Sequence, residues 1–167
     1  MRPAPILMLS AAMLSAAGGV PDEPCATAQR HELDFVIGNW LVRDSSGQAI
    51  GTATIARAYA GCVLIERRPG AGNAGESLGI IGFEPESGRW HRDHLDPGGV
   101  VLSLAGRMEG PAMVMTGKEY RPEGVRIHRT SWRPGRDGTV EERWHTSTDG
   151  ERSWQVRFHG RFQRIAE

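Results

Sequence analysis

Apolar and polar side chains alternate along most of the chain that follows residue 39. The clearest example is the segment 154–162, in which Trp154, Val156 and Phe158 alternate with polar residues. An alternation with a period of two is typical of a β-strand that buries one of its faces. Similar runs predict further strands at 39–45, 48–59, 62–68, 77–84, 89–96, 99–107, 112–119, 124–133 and 139–147.

Turns that contain glycine separate these runs. The pairs Asp137-Gly138 and Asp149-Gly150 are strong hairpin signals, because glycine readily takes the positive φ that tight turns need. The connections are too short for the crossovers that join parallel strands, and a flat antiparallel sheet would leave unpaired edges. We therefore predict an all-β fold, an antiparallel meander of about ten strands that closes into a calycin-like barrel. A two-layer sandwich is the second choice, and one short helical turn is expected within 31–38.

The N-terminus has the pattern of a secretory signal peptide. A positive charge at Arg2 is followed by an apolar run over residues 6–17 and then by small residues. This run is too short to anchor the chain across a bilayer about 30 Å thick, and we expect no membrane insertion. We therefore divide the chain into a signal peptide (1–17), an N-terminal extension (18–30) and a single barrel domain (31–167). The predicted location of the mature protein is the periplasm or the extracellular space.

The sequence contains two cysteines, Cys25 and Cys62. In an oxidising compartment an even number of cysteines favours a disulfide bond, whereas the alternative is two separate thiols. The bond would close a loop of about 36 residues and, in the chain-entropy description, stabilise the fold by about 3–4 kcal/mol. We predict that the two residues are bridged.

The charges of the chain are balanced, with 20 basic and 20 acidic residues. A chain without net charge offers no electrostatic attraction to nucleic acid or to an acidic membrane surface. We therefore expect no nucleic-acid partner. The sequence leaves the oligomeric state open.

Five segments together resemble a family of uncharacterised, mostly bacterial secreted proteins. They are LDFVIGNW (33–40), GCVLIE (61–66), GRWHRDHLD (88–96), SWRPGRDGTV (131–140) and WHTSTDGERSW (144–154). The family looks calycin-like, which means that it is related in shape to lipocalins, fatty-acid-binding proteins and nitrobindins. The resemblance implies a ten-stranded barrel around a central cavity. It implies no particular reaction, because one fold can serve many functions.

Charged residues continue the predicted inward faces of several strands. On the run 62–68, for example, Leu64 shares a face with Glu66. A charge inside a barrel is costly unless it is paired, solvated or met by a ligand. The candidate ligand-binding residues selected in this way are Glu66, Trp90, Arg92, His94, Asp96, Arg129, Glu142 and Trp144. The alternative for the charged members is that they form a structural salt-bridge network or lie at the solvated opening of the barrel.

The arginines of this set would pair the charge of a ligand. Arg129 is expected inside because Val125 and Ile127 have the same phase along their strand. The rings of Trp90 and Trp144 would pack the apolar part of the ligand, as flat side chains commonly do in small-molecule pockets.

Other motifs give weaker signals. The segment 75–79 matches G-x-S-x-G, but a nucleophile elbow needs a helix after the turn, and a β-like run follows here. His91 and His94 lie three apart on a strand and face opposite sides, so they cannot hold one metal ion together. Most of the other strand histidines are expected to point to solvent; these are His128, His145 and His159. We expect neither a metal nor another cofactor.

Three functions are compatible with this pattern. The first is an exported module that binds a small amphipathic or anionic molecule inside the barrel. The second is an enzyme, such as an isomerase, cyclase or hydrolase, in which Glu66 or Glu142 acts as a general base. The third is a non-catalytic interaction protein whose barrel is filled with side chains.

Overall fold

The computed structural model of the protein describes residues 25, 27–69 and 75–165. Two short 3-10 helices, Ala28–His31 and Asp34–Val36, precede ten strands. The strands are β1 (Gly38–Asp44), β2 (Ala49–Ala58), β3 (Val63–Pro69), β4 (Glu76–Glu84), β5 (Arg89–Leu95), β6 (Val101–Glu109), β7 (Ala112–Arg121), β8 (Gly124–Pro134), β9 (Val140–Ser147) and β10 (Gln155–Arg164). The all-β prediction is confirmed.

The ten strands form one closed barrel in which each strand pairs with its neighbours in the chain. β1 closes the barrel by pairing antiparallel with β10, which places Trp40 opposite Arg164. The predicted antiparallel barrel is therefore confirmed, and its shape is consistent with a calycin-like fold. The predicted strand limits agree with the observed ones to within two residues. Glycine turns explain this agreement, since Gly138 and Gly150 adopt φ values of 75° and 72° where their strands end.

Residues 27–37, which we call the plug, close one end of the barrel. The predicted helical turn forms here as two 3-10 turns, in which Leu33 O accepts a hydrogen bond from Val36 N at 3.1 Å. Leu33 and Val36 lie three residues apart and therefore on one face, and both are buried in the barrel core. The Trp40 indole donates to Val36 O at 2.9 Å, and the Trp90 indole donates to Glu32 Oε2 at 3.0 Å. The plug is thus tied to the barrel by both packing and hydrogen bonds.

The barrel core next to the plug is filled with side chains. A cavity of about 10 Å³ remains there, which is the space of about one water molecule. Its lining consists of Val36, Trp40, Ile55, Trp132, Val140 and Phe162. A drug-sized ligand does not fit into this cavity.

A disulfide bond joins Cys25 to Cys62, with the two Cα atoms 5.0 Å apart. The predicted bridge is confirmed, and such a bond indicates an oxidising compartment. Arg30 strengthens the same junction by donating a hydrogen bond to Cys62 O at 2.6 Å. The plug is therefore fastened covalently beside the start of β3.

The predicted signal peptide, 1–17, lies outside the described residues, so its cleavage stays a prediction. The same holds for the boundary of the N-terminal extension, 18–30. Within the described part of the chain, no helix is long and apolar enough to cross a bilayer.

The opposite end of the barrel, which we call the loop end, carries the β1–β2, β5–β6, β7–β8 and β9–β10 connections. Successive strands of a meander run in opposite directions, so their connections alternate between the two ends of the barrel. These four connections lie at the end away from the plug. The candidate site lies between the middle of the barrel and the loop end.

Candidate functional site

Four charged side chains meet in the middle of the barrel, and we call them the ion network. They are Glu66 and Arg68 on β3, Arg92 on β5 and Glu142 on β9. Arg92 donates to Glu66 Oε2 at 2.6 Å, and Arg68 donates through Nε to Glu66 Oε1 at 2.6 Å. Arg68 also donates to Glu142, and Arg92 Nη1 lies 3.5 Å from Glu142 Oε1. Two carboxylates and two guanidinium groups make the cluster neutral as a whole.

The ion network is almost completely withdrawn from water. Glu66, Arg92 and Glu142 are at most 1% exposed, while the Arg68 side chain keeps 18% of its surface. Burial alone would raise the pKa of the Glu66 carboxyl, but Arg68 and Arg92 outweigh burial and lower it to about 2. Burial likewise opposes the charge of Arg68, and the carboxylates of Glu142 and Glu66 raise its pKa above the ordinary value. Glu66 and Arg68 are therefore held in the ionised state by the opposite charges around them.

Arg68 belongs to the ion network although the sequence analysis did not select it. The inward phase that predicted Glu66 continues by one further step to Arg68, so the same alternation could have found it. The predicted inward orientation of Glu66, Arg92 and Glu142 agrees with the structure. The arrangement is the salt-bridge network that was the alternative for these charges, and their role as ligand contacts stays a prediction.

Gly79 on β4 makes room for the ion network. A Cβ atom at this position would lie 2.7 Å from Glu66 Oε2 and 3.1 Å from Glu66 Cβ. Gly79 is the last residue of the G-x-S-x-G segment, and the rest of that segment leads into β4 rather than into a helix. The motif thus has a packing role at its last glycine, and the geometry of a nucleophile elbow is not formed.

Replacing Gly79 by alanine should destabilise the fold by about 1–3 kcal/mol, because the new methyl group pushes the Glu66 carboxylate away from Arg92. Gly82→Ala on the same strand is the matched control, since its Cβ would meet only Val63 Cγ1 at an ordinary 3.7 Å. The control should change stability by less than about 0.5 kcal/mol. Urea unfolding of both variants measures the difference, and equal effects would show that Gly79 is not needed for this packing.

Above the ion network, toward the loop end, lies a second group that we call the Trp144 cluster. It consists of Trp144 with His94, His128 and Arg157. The His94 ring meets the Trp144 ring edge-on with 5.2 Å between centroids. The Arg92 and Arg157 guanidinium carbons lie 5.8 Å and 5.5 Å from the centre of the indole. Arg92 is buried and Arg157 is exposed, so the indole lies near one buried and one exposed guanidinium group.

The tautomer of His128 follows from its two partners. The Trp144 indole donates to His128 Nδ1 at 2.9 Å, and an indole N–H can only donate. The proton of neutral His128 therefore sits on Nε2, which lies 3.0 Å from Glu119 Oε2. Burial lowers the pKa of His128, although Glu119 opposes this effect. The chain from Trp144 through His128 to Glu119 fixes the position of the indole.

The structure corrects the predicted phase of β8. His128, Thr130 and Trp132 point inward, whereas Val125 is 42% exposed and Arg129 lies on the outer wall. Arg129 Nη2 is 3.5 Å from Glu109 Oε2, and both side chains are about half exposed. Arg129 therefore cannot pair a charge inside the barrel, and the prediction that His128 is one of the solvent-facing histidines is wrong. Trp132 is 3% exposed and lies on the inward face, and a tryptophan ring buries more apolar surface than either a valine or an isoleucine alone.

A β-bulge in β10 brings Arg157 over Trp144. The register against β9 shifts between Val156 and Phe158, which leaves Arg157 as the extra residue. Val156 is consequently 66% exposed, contrary to its predicted place on the inward face, while Phe158 remains packed against the core. The regular alternation predicted along this strand is therefore broken at the position that supplies the Trp144 cluster with its exposed cation.

Besides Arg129, two predicted site residues lie elsewhere. Trp90 is buried at the plug end, where it packs against Phe83 and bonds to Glu32. Asp96 holds the β5–β6 turn, because its Oδ1 accepts from Gly98 N at 2.8 Å and from Val100 N at 3.0 Å. The structure therefore brings together five of the eight predicted residues: Glu66, Arg92, His94, Glu142 and Trp144.

Several buried polar atoms of this region have no hydrogen-bond partner in the described protein. They are Arg92 Nε and Nη1, His94 Nδ1 and Glu142 Oε1. Buried donors and acceptors in folded proteins are nearly always satisfied by protein, by ordered water or by a ligand. Arg92 Nη1 and Glu142 Oε1 lie 3.5 Å apart as an ion pair. His94 Nδ1, on the ring that contacts Trp144, is the atom at which a further molecule would make a polar contact next to the indole.

No family model matches the chain, and a search of curated proteins finds no relative. Among the residues that the structure describes, no group of three or more His, Cys, Asp or Glu side chains is arranged to hold a metal ion.

Proposed function

We propose that this protein is an exported β-barrel that binds a small amphipathic or anionic molecule against Trp144 at the loop end. The observation that carries the proposal is the pair of unpartnered buried atoms His94 Nδ1 and Arg92 Nε, on side chains that lie against that ring. A polar group of the ligand, alone or through a water molecule, would satisfy them. The Trp144 indole would pack the apolar part, as aromatic walls do in most small-molecule sites.

The filled plug end supports this location. Because the interior cavity next to the plug measures about 10 Å³, a ligand larger than water would enter the barrel interior from the loop end. Membership of the calycin-like secreted family is part of the same proposal. Export is supported by the Cys25–Cys62 bond, since disulfides persist mainly in oxidising compartments. Determining the N-terminal residue of the protein recovered from outside the cytoplasm tests the predicted cleavage near Ala17.

The state of Glu66 within the ion network does not favour the enzyme alternative. A general base works best when its pKa lies near the operating pH, whereas the Glu66 carboxyl has a pKa of about 2. Its oxygens are already taken up by Arg68 and Arg92. At neutral pH such a carboxylate is a weak base, and it is better suited to supporting a binding floor.

The neutral dye N-phenylnaphthylamine, which fluoresces in apolar surroundings, tests the site. The wild-type protein should bind it, and Trp144→Phe should weaken binding several-fold, because the smaller ring loses contact area and its bond to His128. Trp154→Phe is the matched control, since Trp154 lines a groove on the outer wall, and it should leave the affinity unchanged. Native mass spectrometry of protein purified from its own compartment should reveal a retained small molecule. Absence of both dye binding and a retained molecule would favour the interaction-protein alternative.

A further inference from the structure

The charge-pairing residue expected from the sequence, Arg129, lies outside the barrel, and Arg92 is already bound to Glu66. A different cation must therefore serve an anionic ligand. Arg157 is the candidate, because the bulge in β10 sets its guanidinium over the Trp144 ring. An exposed arginine on an aromatic face keeps its outward N–H groups free for a carboxylate, sulfonate or phosphate.

Arg157 differs from the other arginines around it by its lack of an acidic partner. Arg121 and Arg126 lie within 4 Å of Glu119, and Arg161 of the same strand pairs with Asp137. Among the residues that the structure describes, Arg157 makes no such contact with a carboxylate. Its charge is therefore available at the loop end.

His94 contacts the same indole, ring to ring at 5.2 Å, and carries the unpartnered Nδ1. Burial lowers the pKa of His94 to about 4, and the positive charge of Arg92 adds to this effect. The imidazole is therefore neutral in the free protein at neutral pH. An anion placed beside it would favour the protonated form and draw a proton from solvent.

The balance of charge around His94 makes it responsive to one added negative charge. The groups that face it are Arg92 and Asp96 of its own strand, Glu66 and Arg68 of β3, and, around Trp144, Glu142, His128 and Arg157. Within the ion network the opposite charges cancel, and outside it Asp96 and Arg157 carry opposite charges. The surroundings of His94 are therefore neutral as a whole, and one added anion makes them negative.

Resting on the proposed function, we infer that the ligand is an anionic molecule with a flat apolar part, held between Arg157 and His94, and that its binding takes up one proton. The anionic group pairs with the Arg157 guanidinium and with the protonated imidazole of His94. The apolar part covers the Trp144 ring. The proton comes from solvent, and no covalent bond is formed or broken.

Two dyes that differ only in charge test the first half of this inference. Anilinonaphthalene sulfonate is N-phenylnaphthylamine with an added sulfonate group, and the wild-type protein should bind it more tightly than the neutral dye. Arg157→Gln should weaken binding of the sulfonate about tenfold and change binding of the neutral dye much less, so that the ratio of the two affinities falls. Arg161→Gln removes the same charge from the outer wall of the same strand, and it should change neither affinity. Equal effects of the two substitutions on the sulfonate would overturn the role of Arg157.

Proton uptake tests the second half. Between about pH 7 and about pH 5 the affinity of the wild-type protein for the sulfonate should rise about a hundredfold, tenfold for each pH unit, because the bound state holds one proton more. Titration calorimetry in phosphate and in Tris should give binding enthalpies that differ by the ionisation enthalpies of the buffers. His94→Gln should abolish both effects while retaining binding near pH 7. A pH dependence that persists in this variant would overturn the assignment to His94.

The outcomes also separate this inference from the proposed function. If the neutral dye binds at Trp144 and the sulfonate binds no better, the site stands and the anionic ligand is wrong. If neither dye binds and no molecule is retained, the site itself is wrong.

Discussion

Arg92→Met should destabilise the protein by about 3–5 kcal/mol, which is the range for breaking a buried ion pair from one side. The methionine keeps apolar contact with Trp132, against which the Arg92 guanidinium carbon lies at 4.7 Å. The substitution removes the guanidinium group that contacts both Glu66 and Glu142. The two carboxylates must then share the guanidinium group of Arg68. Two buried carboxylates facing one guanidinium leave a negative charge with little solvation. Urea unfolding followed by tryptophan fluorescence measures the loss.

Arg67→Met is the control for this experiment. Arg67 is the neighbour of Arg68 on β3, but it points outward and pairs with Glu76 at 3.1 Å in solvent. Exposed ion pairs contribute little to stability, and the free energy of unfolding should fall by less than about 1 kcal/mol. Similar losses for both substitutions would mean that the ion network does not stabilise the barrel.

Acidification should reduce the difference in the free energy of unfolding between the wild-type protein and the Arg92→Met variant. The folded-state pKa of Glu66, about 2, lies below its ordinary value of 4.5. Its stabilising contribution is therefore complete above pH 4.5 and is lost as the pH falls toward 2. The variant lacks much of this contribution and should be less sensitive to acid over the same interval.

Removal of the disulfide should have the second largest effect. The double substitution of Cys25 and Cys62 by alanine should cost about 3–4 kcal/mol, because the bond spans 37 positions and restricts the unfolded chain. The plug should stay packed, since Leu33 and Val36 are buried independently of the bond. Urea unfolding of the variant and of the reduced wild-type protein should therefore give the same stability. A loss below about 1 kcal/mol in both would contradict the expectation.

Most of the fold could be predicted because the information is local. Glycines such as Gly138 and Gly150 fix where each strand ends, and alternation between the turns identifies strands. Short connections then permit only an antiparallel meander, and closure follows from the exposed edges. These steps need no knowledge of which side chains meet across the barrel.

The site was predicted only in part, because its remaining features depend on non-local geometry. Alternation gave Glu66, Arg92 and Glu142, but on β8 both faces carry large apolar residues, and burial of Trp132 turned Arg129 outward. The bulge that places Arg157 has no signature in residue type. The contact between Arg68 and Glu142 joins residues 74 positions apart and exists only after the barrel has closed.

The ion network determines how a small molecule can enter and leave the barrel. Four side chains from β3, β5 and β9 extend across its interior and contact one another. A small molecule therefore cannot pass between the plug side and the loop side of the interior. A molecule resting on Trp144 leaves by the route through which it arrived. Changes in the β5–β6 or β9–β10 connection that alter this single passage without touching the bound molecule must then change arrival and departure rates by the same factor, and the Kd stays constant.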